Sequence, residues 1–371
     1  MGNALGTATI GRRRQISLLL AVVIIFAGAL MGSVHDSLLV AALVTATGLI
    51  WSSRQWKAYL VAGIIASAGV CWAGLDPTEG SPGWKGRVIY EKLVGHLPYL
   101  KWDQIQTAVK LPRRSFQQEQ SGVSENVVKL EEVRKGGVSS ECYQTDLGKF
   151  WIEAPGKGLL SWLLWEITVR RDYESRAVAI RPGDTVIDAG AHVGVFTRYA
   201  LQRGAGRVIA IEPDATNIGH LEANLSEEIA AGKVTLIKAG LWDQTTQLAL
   251  THIEDNSARH SFLRDKAEGV QIAGVPVMTL DEVVKQCKLE RVDFIKMDIE
   301  GAERRALAGS RQTLARFKPR MAICSYHLGD DPTVIPAVVA TAQPAYQVHA
   351  KAFDTNWRRF ITKVLFFDAG S

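Results

Sequence analysis

Short apolar segments recur along the second half of the chain. From Pro182 onward, runs of four or five apolar residues alternate with segments whose apolar residues have helical spacing. This alternation predicts an α/β domain, in which helices cover both faces of a mostly parallel sheet. A later run, Phe360–Phe367, predicts an antiparallel edge strand. The predicted parallel strands are Thr185–Asp188, Val208–Ile211, Val234–Lys238, Phe294–Asp298 and Met321–Ser325.

The first 75 residues follow a different pattern. Three apolar stretches, nearly free of charge, run from Ile16 to Met31, from Ser37 to Trp51 and from Ala58 to Leu75. Each is at or slightly below the roughly 20 residues that a helix needs to span a bilayer. The first stretch alone would also fit a signal peptide, but two more follow at once and no clear small-residue cleavage site separates them. We therefore predict a membrane anchor of two or three helices over residues 1–75.

Length, charge and cysteine content narrow the class of protein. The 371 residues leave room for one full α/β domain and a smaller region. We therefore expect a linker and accessory region over 76–170 and the α/β domain over 171–371. The net charge of +5 comes without a dense basic tract beyond Arg12–Arg14, which disfavours a nucleic-acid partner. The four cysteines are widely spaced, which argues against a disulfide framework or a zinc site.

Two acidic residues end neighbouring apolar runs. Asp188 ends the first predicted strand and leads into a turn that contains Gly190 and Gly194. Glu212 follows the second strand. Its separation from Asp188 is close to the roughly 20 residues that are typical of an acid which accepts two ribose hydroxyls. Ligands of open α/β sheets bind at the carboxyl ends of the strands. The pattern therefore predicts a cofactor that contains a nucleoside.

The turn itself indicates which kind of cofactor this is. Its two glycines are four residues apart, so the Gly-x-Gly-x-x-Gly pattern of dinucleotide sites is not met. No Lys-Ser or Lys-Thr pair follows, which excludes a phosphate-binding P-loop. Asp188, immediately before the turn, would repel a pyrophosphate but suits a cationic amino-acid head group.

These residues resemble class I S-adenosylmethionine-dependent methyltransferases, and more narrowly the FkbM family. The resemblance covers roughly Pro182 to His327 and none of the predicted anchor. It implies a seven-stranded doubly wound sheet, S-adenosylmethionine as the cofactor and methyl transfer to a hydroxyl oxygen. The segments that carry the resemblance are Val186–Thr197, Ile211–Asp214, Leu221–Leu225, Val277–Asp281 and Phe294–Glu303.

The resemblance also implies roles for individual cofactor-binding residues. Asp188 and Gly190 would face the methionine end, and Glu212 would hold the ribose hydroxyls. Pro213 and Asp214 would shape the adenine side. Trp242 and Asp243 fall where such enzymes contact adenine, although a buried core aromatic and a turn residue would explain them equally well. The cofactor-binding candidates are completed by the rest of the turn, namely Ala191, His192 and Gly194.

A second group of candidates follows the fourth and fifth strands. Asp298 and Glu300 lie where a substrate must meet the methyl group, and we expect them to orient the substrate hydroxyl or accept its proton. His327 is the predicted general base, because imidazole titrates near neutral pH. The family pattern has an acid two positions before this histidine, where this chain has Ser325. No group of histidines, cysteines and carboxylates has metal-ligand spacing, so a metal is not expected.

The acceptor and the topology are linked through the predicted anchor. A membrane anchor favours a glycan, a lipid-linked sugar or another amphipathic alcohol as acceptor, because enzyme and acceptor would share one surface.

Arg12–Arg14 and the Arg54/Lys57 loop should both stay cytoplasmic. If all three stretches crossed the membrane, the catalytic domain would lie outside the cell. The cofactor, however, is intracellular. We therefore expect a catalytic domain that faces the cytoplasm, with the shortest stretch, Ser37–Trp51, interfacial or re-entrant.

Two other functions remain open at this point. A nicotinamide-dependent oxidoreductase shares the fold and the ribose-binding acid, but its glycine spacing is not met. A noncatalytic, membrane-tethered nucleoside-binding module would be expected to lose the acids at the strand ends. Asp188, Glu212, Asp298 and Glu300 are all retained.

Overall fold

The computed structural model divides the chain into two compact units. One comprises residues 1–112 with 355–360, and the other comprises 113–354 with 361–371. The second unit carries the central sheet and the candidate site. The residues that the structure describes are 120–135, 137–253, 257–263, 269–350, 353–356 and 359–370, together with 92, 97 and 99–102.

The predicted membrane anchor falls outside this part of the chain. None of the helices in the described residues has the length and apolar character needed to cross a bilayer. The three apolar stretches, Ile16–Met31, Ser37–Trp51 and Ala58–Leu75, lie outside the described residues. The anchor therefore stays a prediction from the sequence.

A three-stranded antiparallel sheet precedes the α/β region. It consists of β1 (Val128–Lys135), β2 (Val138–Thr145) and β3 (Gly148–Glu153), paired in that order. Helix α1 (Lys157–Leu164) follows and continues as a π-helical segment, Trp165–Val169. The apolar residues of this segment have helical spacing. None of the three strands was predicted.

The α/β region contains most of the remaining elements. In chain order these are β4 (Thr185–Ala189), α2 (Val195–Gln202), β5 (Arg207–Ile211), α3 (Ala215–Asn224), α4 (Ser226–Ala230), β6 (Val234–Ile237), β7 (Gly240–Leu241), β8 (Thr246–His252), β9 (Val270–Met278), α5 (Leu280–Gln286), β10 (Phe294–Met297), α6 (Glu303–Ala308), α7 (Arg311–Phe317), β11 (Arg320–Cys324), α8 (Asp331–Ala342), β12 (Gln347–Ala350), β13 (Phe353–Asn356), β14 (Arg359–Thr362) and β15 (Val364–Asp368).

Seven of these strands form a mixed sheet in the order β12-β15-β11-β10-β4-β5-β6. The five strands from β11 to β6 are parallel, whereas β15 runs antiparallel to both of its neighbours. All five predicted parallel strands are present. The last predicted strand is antiparallel as expected, but it is not at the edge. Val364 to Phe367 are all fully buried, and β12 pairs with β15 on its outer side.

The order of strands reverses direction between β4 and β10. From β4 the chain adds β5 and β6 on one side, and from β10 it adds β11 on the other. Because crossovers between parallel strands are right-handed, this reversal places α2 and α3 on one face and α6 to α8 on the opposite face. Helices α6 and α7 both pack against α8. The loops diverge at such a switch point and leave a crevice at the carboxyl ends of the strands.

Candidate active site

A cavity lies at the carboxyl ends of β4, β5 and β10. It is lined by residues from the turn after β4, from the end of β5, from the segment after β10 and from the connection between β8 and β9. The structure thus brings together residues that are far apart in sequence. Of the predicted site residues, the lining includes Gly190, Ala191, His192, Glu212, Pro213, Asp298 and Glu300.

The turn after β4 depends on two glycines. Gly190 has a φ of +76°, and a Cβ at this position would lie 1.9 Å from the carbonyl oxygen of Asp298. Only glycine accepts both the conformation and this approach. Gly194, with a φ of +88°, begins α2, and a Cβ there would lie 2.8 Å from the side chain of Leu225. Gly190 therefore shapes the cavity, whereas Gly194 is required by the packing behind it.

Glu212 is the buried acid at the end of β5. Its side chain accepts hydrogen bonds from the backbone N–H of His192 at 2.9 Å, the backbone N–H of Asp214 at 3.1 Å and the Asn217 amide at 3.3 Å. Burial raises the pKa of Glu212 to about 7, even though these three hydrogen bonds act in the opposite direction. Burial in the cavity wall thus makes the charged form of this carboxyl group less favourable.

Asp188 lies behind the cavity rather than in its described lining. It is fully buried, accepts a hydrogen bond from the Thr197 hydroxyl at 2.7 Å, and lies 3.2 Å from the ammonium of Lys296. Lys296 in turn donates to the Gly190 carbonyl at 2.7 Å and lines the cavity. Burial disfavours the charged amine, but Asp188 and Asp298 outweigh burial and raise the pKa of Lys296. Asp188 therefore acts on the cavity through Lys296.

Asp214 belongs to the first turn of α3. Its Oδ1 accepts hydrogen bonds from the backbone N–H groups of Thr216 and Asn217, both at 2.9 Å, which makes it the N-cap of that helix. Its Oδ2 lies 3.2 Å from Nδ1 of His252. The residue was predicted to shape the adenine side, and the structure places it beneath the cavity wall, which Pro213 lines directly.

Trp242 and Asp243 lie in a separate depression on the surface. Asp243 forms an ion pair with Arg305 at 2.7 Å, and the Arg305 guanidinium also lies over the ring of Trp242. Trp242 packs edge-on against Phe262, and it is Phe262 that lines the cavity. The geometry matches the structural alternative for this pair, a packed aromatic and a turn residue, rather than direct contact with adenine.

A cluster of carboxylates surrounds His327 at the other side of the cavity. Nε2 of His327 lies 3.5 Å from Asp298 and 3.3 Å from Glu300, and Nδ1 lies 3.0 Å from Glu303. Burial would lower the pKa of His327, but Glu303, Glu300 and Asp298 outweigh burial and raise the pKa well above its usual value. These carboxylates favour the charged form of the ring, so the unperturbed imidazole expected of a general base is not what the structure shows. The role of His327 as general base stays a prediction.

The backbone after β10 is held in an unusual conformation. Glu300 has a φ of +54°, which is uncommon for a residue with a side chain, and Gly301 follows with a φ of +99°. The Ser261 hydroxyl donates to the Glu300 carbonyl at 2.7 Å and fixes the turn from the opposite side. Such strained positions are concentrated at functional sites, where the surrounding structure holds them in place.

Several lining residues were not among the sequence candidates. Lys296 is a charged residue inside a strand whose other members are all apolar and buried, which is a signal that could have been used. Tyr173 donates to Asp298 at 2.7 Å, and Glu166 pairs with buried Lys363. Neither Tyr173 nor Glu166 carries a sequence signal, because their partners are brought in by other elements.

The structure also assembles groups that could hold a cation. Asp298, Glu300 and His327 place one ligand atom each within 4.8 Å of one another, and so do Asp214, His252 and His260. The sequence shows no metal-ligand spacing because each group draws on separate loops. The expectation that no metal binds rested on sequence spacing alone, and these two groups leave it a prediction.

Comparisons with known proteins identify the family. The model of the methyltransferase FkbM domain matches residues 188–359, which include every predicted site residue. The chain is 31% identical over 180 residues to 31-O-demethyl-FK506 methyltransferase FkbM of Streptomyces tacrolimicus, a match that covers 41% of this chain and 69% of that protein. The chain belongs to the FkbM methyltransferase family.

Two further similarities are more distant. Methyltransferase sdnD of Sordaria araneosa is 26% identical over 153 residues, covering 33% of this chain and 59% of that protein. The crystal structure of methyltransferase FkbM from Methylobacillus flagellatus KT is 18% identical and superposes with a TM-score of 0.39, covering 68% of this chain and 59% of that one. The strand order of the central sheet, not these scores, establishes the fold described above.

Proposed function

We propose that this protein is an S-adenosylmethionine-dependent methyltransferase that acts on a hydroxyl oxygen of a glycan, a lipid-linked molecule or another small-molecule acceptor. The observation that carries the proposal is a single cavity shared by Glu212, after β5, and by Asp298 and Glu300, after β10. The first acid suits a ribose and the other two suit an acceptor hydroxyl. A relative is named a 31-O-demethyl-FK506 methyltransferase, which favours oxygen as the methylated atom.

The residues present fit this cofactor. Glu212 accepts three hydrogen bonds, and a carboxylate has about four acceptor positions, so one position is left for a ribose hydroxyl. Gly190, which has a positive φ and no side chain, lets a ligand approach the backbone closely. Lys296, charged and balanced by Asp188, would pair with the carboxylate of the methionine moiety. Lys296 thus takes the role at the methionine end that the resemblance implied for Asp188.

When bound, S-adenosylmethionine supplies an electrophilic methyl group on a sulfonium. The protein must orient the acceptor hydroxyl toward that methyl group and receive its proton. Asp298 and Glu300 line the cavity and would perform both tasks, while His327 holds their carboxylates together. Orientation alone can supply about 7–11 kcal/mol of barrier reduction in well-aligned reactions.

Calorimetry with S-adenosylhomocysteine and with NAD tests the cofactor assignment. We expect the full-length chain to bind S-adenosylhomocysteine and not NAD. Glu212→Gln should weaken binding at least about tenfold, equivalent to about 1.4 kcal/mol, because it removes the charged acceptor. Glu222→Gln is the matched control, since Glu222 is half-exposed on α3 and pairs only with Lys238 among the described residues. Saturable binding of NAD would instead favour the oxidoreductase, and binding of neither ligand would reject the proposal.

The acceptor is identified by transfer of a labelled methyl group. Cell membranes and soluble extracts are incubated with the protein and methyl-labelled S-adenosylmethionine, and the labelled product is analysed by mass spectrometry. A labelled ether in the membrane fraction would support a lipid-linked acceptor. Label on nitrogen or carbon, with none on oxygen, would reject the hydroxyl assignment.

We also propose that the chain is attached to a membrane and that its catalytic domain faces the cytoplasm. The support is the series of apolar stretches in residues 1–75 and the need for an intracellular cofactor. A reporter fused after Ser371 should be active on the cytoplasmic side only. Activity on the opposite side, or recovery of the full chain in the soluble fraction, would reject this arrangement.

A further inference from the structure

We propose that Asp298, Glu300 and His327 bind a divalent cation that holds the acceptor hydroxyl. The inference rests on the proposed function, because the cation would prepare an oxygen for methylation. Asp298 Oδ1, Glu300 Oε1 and His327 Nε2 converge from two loops that follow neighbouring parallel strands. Two carboxylates and one imidazole form a ligand set suited to a divalent ion that accepts mixed oxygen and nitrogen donors, of which Mn²⁺ is a convenient probe.

The separations of His327 Nε2 from the two carboxylate oxygens are those that a central ion requires. His327 Nε2 lies 3.5 Å from Asp298 Oδ1 and 3.3 Å from Glu300 Oε1. Two ligands at about 2.1 Å from an ion are about 3.0 Å apart at a right angle and about 3.4 Å apart at the tetrahedral angle. These two separations are therefore within a few tenths of an ångström of coordination, and the two carboxylate oxygens lie within 4.8 Å of each other.

Two of the donor atoms are buried without a hydrogen bond. Asp298 Oδ1 and His327 Nε2 are both inaccessible to water and form no hydrogen bond with any residue that the structure describes. The His327 side chain is 7% exposed, and its Nε2 is directed at the two carboxylates. Burying a polar atom without a partner costs about 1–3 kcal/mol. One cation between these atoms would satisfy both of them.

The surrounding residues orient the donors as in known metal sites. Glu303, which is fully buried, lies 3.0 Å from Nδ1 of His327 and also accepts the backbone N–H of Ile299 at 2.9 Å. Glu303 is thus on the Nδ1 side of the ring, and Nε2 is the nitrogen that faces Asp298 and Glu300. Tyr173 donates to Asp298 Oδ2 at 2.7 Å and leaves Oδ1 as the oxygen that faces it. Carboxylates behind ligating histidines are a general feature of protein metal centres.

The balance of charge points in the same direction. Three carboxyl groups surround one imidazole, which can contribute at most one positive charge. Buried Lys296 lies 3.2 Å from Asp188, whose charge it balances. A ligating imidazole is neutral, so a divalent ion would bring two positive charges where the imidazolium brings one.

The position of the site gives the cation a chemical role. Asp298 and Glu300 line the cavity, so an acceptor hydroxyl entering it can complete the coordination. A bound cation lowers the pKa of a coordinated oxygen and favours its loss of a proton. As the new O–CH3 bond forms, the bond between that methyl group and sulfur breaks. The products are the methyl ether, S-adenosylhomocysteine and one proton, which leaves to solvent.

Binding of Mn²⁺ alone tests the site without any measurement of activity. The full-length chain is stripped with a chelator, desalted and titrated with Mn²⁺, and free Mn²⁺ is followed by electron paramagnetic resonance. We expect one Mn²⁺ per chain, displaced by excess Mg²⁺. Glu300→Gln should weaken binding at least about tenfold, and Asp298→Asn and His327→Gln at least as much. Asp243→Asn, which alters a carboxylate paired outside the cavity, should leave binding unchanged.

Binding of S-adenosylhomocysteine by the same samples separates the two proposals. Glu300 is the primary position, because Gln keeps the size of its partly exposed side chain, and thermal unfolding of the variant checks that it folds. Absence of saturable Mn²⁺ binding to the wild-type chain, or equal binding by Glu300→Gln, would overturn the cation site. If S-adenosylhomocysteine still binds in that case, the proposed function stands without it. Failure to bind S-adenosylhomocysteine would reject the proposed function itself, whatever the result with Mn²⁺.

Discussion

Replacement of Glu212 by Gln should change how the stability of this protein depends on pH. Burial holds the pKa of this carboxyl at about 7 in the folded state, compared with 4.5 for an unperturbed glutamate. The folded state therefore binds this proton more tightly than the unfolded state does. The contribution of Glu212 to stability is fully present below pH 4.5 and is lost as the pH rises through about 7.

The size of the effect follows from the two pKa values. A shift from 4.5 to about 7 corresponds to about 3 kcal/mol at about 1.4 kcal/mol per unit. The free energy of unfolding of the wild type, relative to Glu212→Gln, should therefore fall by about 2–3 kcal/mol between about pH 5 and about pH 8.5. Gln loses an acceptor for the three N–H groups around this position, which costs about 1–3 kcal/mol at every pH. The prediction therefore concerns how the difference in unfolding free energy between the two chains changes with pH. It does not concern the size of that difference at any one pH.

Denaturant unfolding of both chains at a series of pH values measures this difference. Other titrating groups are common to both chains and cancel in the subtraction. Saturating S-adenosylhomocysteine should reduce the pH dependence, because a ribose hydroxyl donates to the charged carboxylate and lowers its pKa. Stability curves that run parallel from acid to alkaline pH would show that the folded state does not raise the pKa of Glu212. That result would contradict the prediction.

Three further substitutions test other parts of the site. Gly190→Ala should destabilise the fold by about 3 kcal/mol or more, because the new Cβ would lie 1.9 Å from the Asp298 carbonyl, and thermal unfolding would show it. Thr197→Val should cost about 1–3 kcal/mol in denaturant unfolding, since it removes the hydrogen bond to buried Asp188; an unchanged midpoint would contradict this role. Asp243→Asn should change the calorimetric affinity for S-adenosylhomocysteine by less than about threefold, and a larger loss would return this residue to the cofactor site.

The parallel strands could be predicted because their signal is local. Each is a short apolar run that ends on a polar residue or a turn, and the observed bounds of β4, β5, β6, β10 and β11 differ from the predicted ones by a single residue at one end or at each end. β1 lacks this signal, because all eight of its residues are exposed and its apolar and charged residues do not form a buried face. Strands that pack weakly are defined by their partners in the sheet, which the local pattern does not encode.

In the candidate site, too, some residues could be predicted from the local sequence and others could not. Glu212, Asp298 and Glu300 could be predicted, because residues that follow parallel strands share one edge of the sheet. The pairing of Asp188 with Lys296 could not be predicted in this way. It depends on β4 and β10 being neighbours in a register that places these two residues side by side. The same applies to His327, whose chemistry depends on three carboxylates from the loop after β10 and the start of α6.

The sequence by itself determined the α/β architecture, the position of the glycine turn and the acids that end the strands. These features follow from periodicity and backbone conformation, which act over a few residues. Only the tertiary structure decided which buried charges face one another, which acid lines the cavity and which lies behind it. Electrostatic energies depend on distance and burial rather than on separation along the chain, so they are fixed only when the sheet has been assembled.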